Sequence, residues 1–259
     1  MRTVSVNGLA VAYAASGARA PAVCLVHGTG GSSAVWAHQL ENLGDVAQVV
    51  AVDLPGHGGS GGSIPKRIED AAAVVAAFLD ALGLGRVVIG GHSMGGAIAQ
   101  HFALAYPDRV QGLILVGTGA RLRVLPRLLE LLASDYAQGV DLLMSLAIGP
   151  EAPDELRTSL HRSTANNPPG VVLGDLTACD VFDVMSRIAT VQVPTLAICG
   201  AQDRLTPPKY SRFFGERIAG ARVVVVPGAG HYVQVEKPRE TTAAIREFLG
   251  GLERRTPRE

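Results

Sequence analysis

Residues 86–103 read RVVIGGHSMGGAIAQHFA, and no other stretch narrows the possible folds so far. Val87, Val88 and Ile89 form a short β-branched run suited to a buried strand. Ala97, Ile98, Ala99, Phe102 and Ala103 favour a helix. Between them, Gly91-His92-Ser93-Met94-Gly95 matches G-x-S-x-G. A strand that turns straight into a helix must strain its turning residue, and it leaves Ser93 at the tip of the turn above the helix N-terminus. Gly91 and Gly95 fit because such a turn brings backbone too close for side chains. Five residues of this pattern arise often by chance; the strand before and the helix after give the match its weight.

The rest of the chain alternates in the same way. Residues 3–7 and 9–14 alternate about Asn7-Gly8, which predicts a β-hairpin. Residues 21–26 read as a buried strand, followed by His27-Gly28-Thr29-Gly30-Gly31 and a helix through Trp36 capped by Ser32 or Ser33. Residues 49–52 form the next strand and end in the loop Asp53-Leu54-Pro55-Gly56-His57-Gly58-Gly59-Ser60. Residues 66–82 carry Val74, Val75, Phe78, Leu79 and Leu82 at helical spacing. Strands over 113–116, 194–199 and 222–226 and helices over 208–218 and 238–249 follow, with a frayed end over 254–259. Strand–helix alternation from residue 21 onward predicts a mostly parallel sheet with helices on both faces. The pattern breaks between residues 121 and 191, where Leu128, Leu129, Leu131, Leu132, Leu142, Leu143 and Leu146 are punctuated by prolines. That text is too apolar for a disordered linker and reads as a helical insertion.

Bulk properties exclude several classes. The 259 residues are 47% hydrophobic, enough for one large α/β domain or two small ones. Twenty-three basic and 23 acidic residues cancel, which argues against a nucleic-acid partner. No apolar run is long enough to span a membrane, and residues 1–17 do not read as a signal peptide. Cys24, Cys179 and Cys199 are odd in number and far apart, so a disulfide framework is not expected and a cytoplasmic location is the default.

A serine hydroxyl is a weak nucleophile at neutral pH, so Ser93 needs a base, and the base needs an orienting group. In open parallel sheets, functional side chains gather at the carboxyl ends of strands. Asp203 follows the strand at 194–199, and His231 follows the strand at 222–226, within Pro227-Gly228-Ala229-Gly230-His231. Ser, Asp and His thus occur in the order of the nucleophile-elbow architecture, each on a post-strand loop.

With these residues in place, the chain resembles the α/β-hydrolase fold superfamily over nearly its whole length. The stretches VHGTGG, DLPGHGGS, GHSMGG, CGAQDRLTP and GAGHYVQVEKP are similar to its esterase, lipase and enol-lactonase-like branch. The resemblance implies an α/β fold: an eight-stranded, mostly parallel sheet with helices on both faces and a helical cap inserted after strand 6. The core would comprise residues 1–120 and 190–259, and the cap residues 121–189. It also implies Ser93 as nucleophile, His231 as general base and acid, and Asp203 as the orienting carboxylate. An oxyanion hole needs two backbone N–H groups aimed at the developing charge. Met94 follows the nucleophile at a helix N-terminus, and Thr29 follows His27-Gly28 where the family places the second donor, with Gly30 as the alternative. The implied reaction is hydrolysis of a small-molecule carboxylic ester of small to medium acyl length, without a cofactor or a metal. Monomer and homodimer stay equally open.

The remaining candidates have plainer readings beside the functional ones. His92 is expected to pack and hydrogen-bond rather than act as a second base. Asp53 and His57 lack a third ligand for a metal, so Asp53 is expected to bind turn amides. His27 is expected to support the oxyanion loop; His38, His101 and His161 carry no signal. Cys24 and Cys199 are expected in the core. Arg121 and Arg123 suit either an anionic substrate group or, better, a solvated face. Gly28, Gly30, Trp36, Met94, Tyr232 and the leucines of the inserted segment are pocket candidates, with ordinary packing as the rival for the side chains.

Three other readings compete. Gly28-Thr29-Gly30 after a strand, with Asp53 ending the next, resembles a nicotinamide fingerprint, but Ser33 stands at the third glycine position and the reading leaves Ser93, Asp203 and His231 unexplained. A receptor that keeps the fold without turnover would show no activity toward simple esters. An enol-lactonase or carbon–carbon hydrolase shares the triad, although Tyr232 stands where many of the latter carry tryptophan.

Overall fold

The structure is a computed structural model and describes residues 1–253; the frayed end expected over 254–259 lies outside them. Asn7 and Gly8 take φ of 50° and 85°, as a two-residue hairpin of this hand requires. They join β1 (Arg2–Val6) to β2 (Leu9–Ser16), antiparallel, with Val6 opposite Leu9. β3 (Ala22–Val26) leads into a 3₁₀ turn, Ser33–Trp36, whose cap is Ser32: its hydroxyl accepts the Ala34 N–H. α1 (Ala37–Leu43) and β4 (Gln48–Val52) follow. α2 (Ile68–Ala81) starts two residues later than its periodicity suggests, because Arg67 is still extended. Next come β5 (Val87–His92), α3 (Met94–Ala105) and β6 (Val110–Val116).

Four helices stand between β6 and the next strand: α4 (Pro126–Ser134), α5 (Tyr136–Ala147), α6 (Asp154–Ala165) and α7 (Pro169–Asp180). The sheet resumes with β7 (Thr195–Gly200), α8 (Pro208–Arg217) and β8 (Arg222–Val226). A single turn, α9 (Val233–Glu236), precedes α10 (Pro238–Glu253). That turn was not expected; it is too short for periodicity to show. The eight strands lie in the order β1-β2-β4-β3-β5-β6-β7-β8. β2 pairs antiparallel with β4, and every pair from β4–β3 onward is parallel.

Strand side chains alternate between two buried layers. Cys24, Val26, Val50, Val52 and Ile89 pack with Phe78 of α2 and Phe102 of α3. Val23, Leu25, Val49 and Val88 pack with Trp36, Leu43 of α1 and Phe248 of α10. Burying each such large side chain contributes roughly 1.5 to 3 kcal/mol. A third cluster fills the inserted helices with Leu128, Leu132, Val140, Leu143, Met144 and Leu176, and it includes Tyr232 from the loop after β8. The inserted helices are thus seated on the core through apolar packing. Among the described residues, no helix is long and apolar enough to cross a membrane.

Candidate active site

β5 is buried along all six residues and runs directly into α3. Ser93, at the junction, takes φ 53° and ψ −116°. With Asn7 it is one of two non-glycine residues at positive φ among those described. Such a conformation costs about 1 to 3 kcal/mol and persists only where the surroundings enforce it. Here the Ser93 N–H donates to Val116 O at 2.9 Å. The Ser93 carbonyl accepts from Gly96 N at 2.9 Å and from Thr118 Oγ1 at 2.8 Å. A methyl group on Gly91 would strike the Gly95 carbonyl, and one on Gly95 would strike the carbonyls of Val26 and His27. Both glycines are therefore required by close approach.

β7 and β8 deliver the other two residues. His231 Nδ1 donates to Asp203 Oδ2 at 2.9 Å, and both side chains are buried. The carboxylate has three further donors: Leu205 N at 2.9 Å and Thr206 N at 2.8 Å to Oδ1, and Thr206 Oγ1 at 2.8 Å to Oδ2. Burial works against the charge on Asp203, but His231 and the Thr206 donors outweigh it and hold the carboxyl below the usual range. With Nδ1 occupied, Nε2 is the nitrogen left for proton transfer. His231 and Ser93 line one cavity of about 80 Å³. Among the described residues, Ser93 Oγ makes no hydrogen bond to His231.

The His231 loop is fastened to the inserted helices. His231 N donates to Ala147 O at 2.7 Å, at the end of α5. Glu236 accepts from Gly149 N at 3.0 Å, Gly230 N at 2.9 Å and Tyr232 N at 3.0 Å. Burial pushes its carboxyl above the usual range, while those amides pull against the shift.

The loop after β3 abuts the elbow: a methyl group on Gly28 would lie 3.1 Å from Ser93 Cβ. His27 braces this loop. Its Nε2 accepts the Leu54 N–H at 3.1 Å, so Nδ1 carries the proton and donates to Gly28 O at 2.8 Å. Burial, with the charge of His57 beside it, pulls His27 down to about 4 and keeps it neutral. Neither Met94 N–H nor Thr29 N–H has an acceptor among the described residues. The Gly30 N–H, in contrast, donates to Asp175 Oδ2 at 2.8 Å. Of the two alternatives for the second oxyanion donor, Thr29 is the one whose N–H is not engaged.

The other candidates fall into place around this centre. His92 Nε2 donates to His231 O at 3.0 Å, and burial followed by the charge of His231 drives it down to about 3, so it is a neutral brace. Asp53 accepts Ser33 N at 2.6 Å and Gly59 N at 2.8 Å, the turn role expected of it. Among the described residues, no cluster of three His, Cys, Asp or Glu side chains is placed to hold a metal ion. Cys24 and Cys199 are buried, and burial lifts the Cys24 thiol to about 12 and Cys199 above the usual range. Trp36 lies fully buried in the layer under α1 and α10 and is not among the cavity residues. Tyr232 packs in the inserted-helix cluster with its ring 5.0 Å from that of His92. Ordinary packing therefore describes both. Arg121 and Arg123 are exposed; Arg123 lies at the cavity and donates to Asp180 O at 2.6 Å.

The cavity wall comes largely from leucines: Leu128, Leu143 and Leu146 belong to the leucine-rich run offered for the pocket, whereas Leu122, Leu176 and Leu205 carried no signal of their own in the sequence. Thr206 and Asp175 were missed as well. Asp175 did carry a hint, as a lone carboxylate inside the apolar run 171–179.

Comparison with known proteins agrees with this fold. The model of the Alpha/beta hydrolase family matches residues 25–245. A pimeloyl-[acyl-carrier protein] methyl ester esterase of Neisseria meningitidis is 29% identical across 89% of this chain and 77% of its own length. The solved structure of a thermophilic esterase superposes with a TM-score of 0.87 at 34% identity, covering 97% of both chains. The enol-lactonase of Burkholderia xenovorans LB400 shares the fold, with a TM-score of 0.89 at 24% identity over 96% of this chain and 100% of its own.

Proposed function

Since the chain belongs to the alpha/beta hydrolase family, we propose that it hydrolyses carboxylic esters of small to medium acyl length through an acyl-enzyme on Ser93. The observation that carries this reading is the buried Asp203–His231 pair, 2.9 Å long, sharing an apolar cavity with a strained, partly accessible serine. The names of the esterase relatives support the ester class. The leucine-lined wall and the modest cavity volume support a short to medium acyl chain.

In the proposed mechanism, His231 Nε2 takes the Ser93 hydroxyl proton as Oγ attacks the ester carbonyl. Asp203 fixes the tautomer and stabilises the imidazolium. The N–H groups of Thr29 and Met94 stabilise the tetrahedral oxyanion, each by about 3 to 4 kcal/mol. Collapse breaks the carbon–oxygen bond, and His231 returns its proton to the departing alkoxide, which leaves as the alcohol. A water molecule then attacks the acyl-enzyme, giving its proton to His231, and release of the acid restores Ser93. Residues 121–189 act as the cap over this site, on a core of residues 1–120 and 190–259.

The test is hydrolysis of p-nitrophenyl esters, acetate through dodecanoate, by the native chain and by Ser93→Ala. Turnover that vanishes in the variant, with an optimum at short or medium chains, is the expected result. Equal turnover by both would remove Ser93 from the mechanism, and no turnover by the native chain would move the reading to lactones, carbon–carbon substrates or a receptor.

A further inference from the structure

Gly30, next to the proposed oxyanion donor Thr29, is held from both sides by the cap. Its N–H donates to Asp175 Oδ2 at 2.8 Å, from α7. Its carbonyl accepts from Asn167 Nδ2 at 2.9 Å, from the loop between α6 and α7. The Gly30 N–H belongs to the Thr29–Gly30 peptide plane, so the Asp175 bond fixes that plane and with it the backbone torsion at Thr29. Gly30 itself sits at φ 58°, and a methyl group added there would lie 2.9 Å from Val172 Cγ2 of the cap.

Asp175 is almost wholly buried, and its second donor, at the same Oδ2, is His57 Nε2, 2.9 Å away. His57 Nδ1 faces Pro55 O at 3.0 Å. Both partners of His57 accept, so both ring nitrogens carry protons and the pair is an imidazolium and a carboxylate. The pair is balanced in charge, so a carboxylate can stand beside the oxyanion loop without repelling the charge that develops there.

We propose that Asp175 and Asn167 are positioning residues for the oxyanion loop, so that the site for the tetrahedral intermediate is complete only with the cap seated. The inference rests on the reading of Ser93 and Thr29 given above. A seated cap then does two things at once: it walls the acyl cavity with leucines and it sets the angle of the Thr29 N–H. Neither cap residue touches the reacting atoms.

The experiment compares the native chain with Asp175→Asn and Asn167→Ala, using p-nitrophenyl butyrate and the matching propyl trifluoromethyl ketone. The ketone adds Ser93 Oγ to its carbonyl and places an oxyanion where the intermediate has one, with the hydroxyl proton passing to His231. In Asp175→Asn, kcat falls about 10- to 100-fold, KM stays within about threefold, and the inhibition constant of the ketone rises by the same factor as kcat falls. Asn167→Ala, at a half-buried position outside the ion pair, shows the same pattern at about three- to tenfold, and it carries the test if Asp175→Asn does not fold. A fall in kcat without a matching loss of ketone affinity, or values within twofold of native, overturns the inference. Ser93→Ala is run in parallel: if it keeps turnover, the reading of the nucleophile fails, whereas its inactivity beside unaffected cap variants removes only the cap's role.

Discussion

His231 and His57 each bond a buried aspartate at 2.9 Å, Asp203 in one case and Asp175 in the other. The pairs differ in which nitrogen is left over. His231 uses Nδ1, and its side chain lines the cavity beside Ser93. His57 uses both nitrogens, Nε2 on Asp175 and Nδ1 on Pro55 O, and is absent from the cavity wall. On the proposed mechanism, the same two residue types make a proton-transfer unit in one place and a clasp in the other. Saturation of the ring, rather than the presence of a carboxylate, separates them.

The largest effect that separates the pairs is on turnover. His231→Gln is expected to lower kcat for p-nitrophenyl butyrate by about 10⁴-fold or more, because nucleophile and base act as a unit. Its urea stability should change by less than about 2 kcal/mol, since Asp203 keeps three other donors. If His231→Gln kept a tenth of native turnover, the distinction drawn here would collapse.

His57→Gln should show the converse. Removing one member of a buried pair leaves an uncompensated charge, which costs about 3 to 5 kcal/mol. Urea unfolding should report a loss of that size, with kcat reduced by no more than about 100-fold through the loosened oxyanion loop. A His57→Gln protein as stable as native would show that the clasp carries no strain-bearing load.

How much of this could be read from the chain follows the same division. The elbow, Asp203 and His231 were legible because each lies on a post-strand loop where the chemistry is local in sequence. The hairpin was legible from Asn7-Gly8 for the same reason. The partner of His57 was not: Asp175 is 118 residues away on α7, and nothing in DLPGHGGS points to it. The leucines of the inserted segment were offered as pocket lining only as a group; which of them face the cavity depends on how α4, α5 and α7 dock. Trp36 was offered for the pocket, but the 3₁₀ turn Ser33–Trp36 buries it in the layer under α1 and α10 instead.

Acid should divide the histidines further, with a smaller effect. Burial works against protonation of His57, but the Asp175 hydrogen bond and charge, the Pro55 carbonyl and the charge of Asp53 outweigh it and leave His57 above the usual range, with His27 also facing it. A raised histidine stabilises fully below about pH 6.5 and loses that contribution as pH rises through its folded value. His27 and His92, held down to about 4 and about 3, act in the opposite sense. They stabilise above about pH 6.5 and lose the contribution as pH falls toward those values. Between pH 7 and pH 5 each should cost about 2 kcal/mol of stability, more than His57 returns. Urea midpoints measured across that interval should therefore fall with acid. A flat profile would mean that His27 and His92 are not held neutral.

The smallest expected effect concerns what steadies the carboxylate of the catalytic pair. Asp203 Oδ2 receives His231 Nδ1 and Thr206 Oγ1, the latter at 2.8 Å. Thr206→Val removes one of four donors and keeps the shape of the cavity wall, to which Thr206 contributes. One hydrogen bond to a charged group is worth about 1.5 to 3 kcal/mol when the remaining partner is left bare, and less here, where three donors remain. We expect kcat to fall about fivefold with KM unchanged. The acid limb of kcat against pH should also move upward, because the carboxyl loses a donor that favours its charged form. A Thr206→Val enzyme with a native pH profile would show that the orientation of His231 rests on Asp203 and the backbone amides alone.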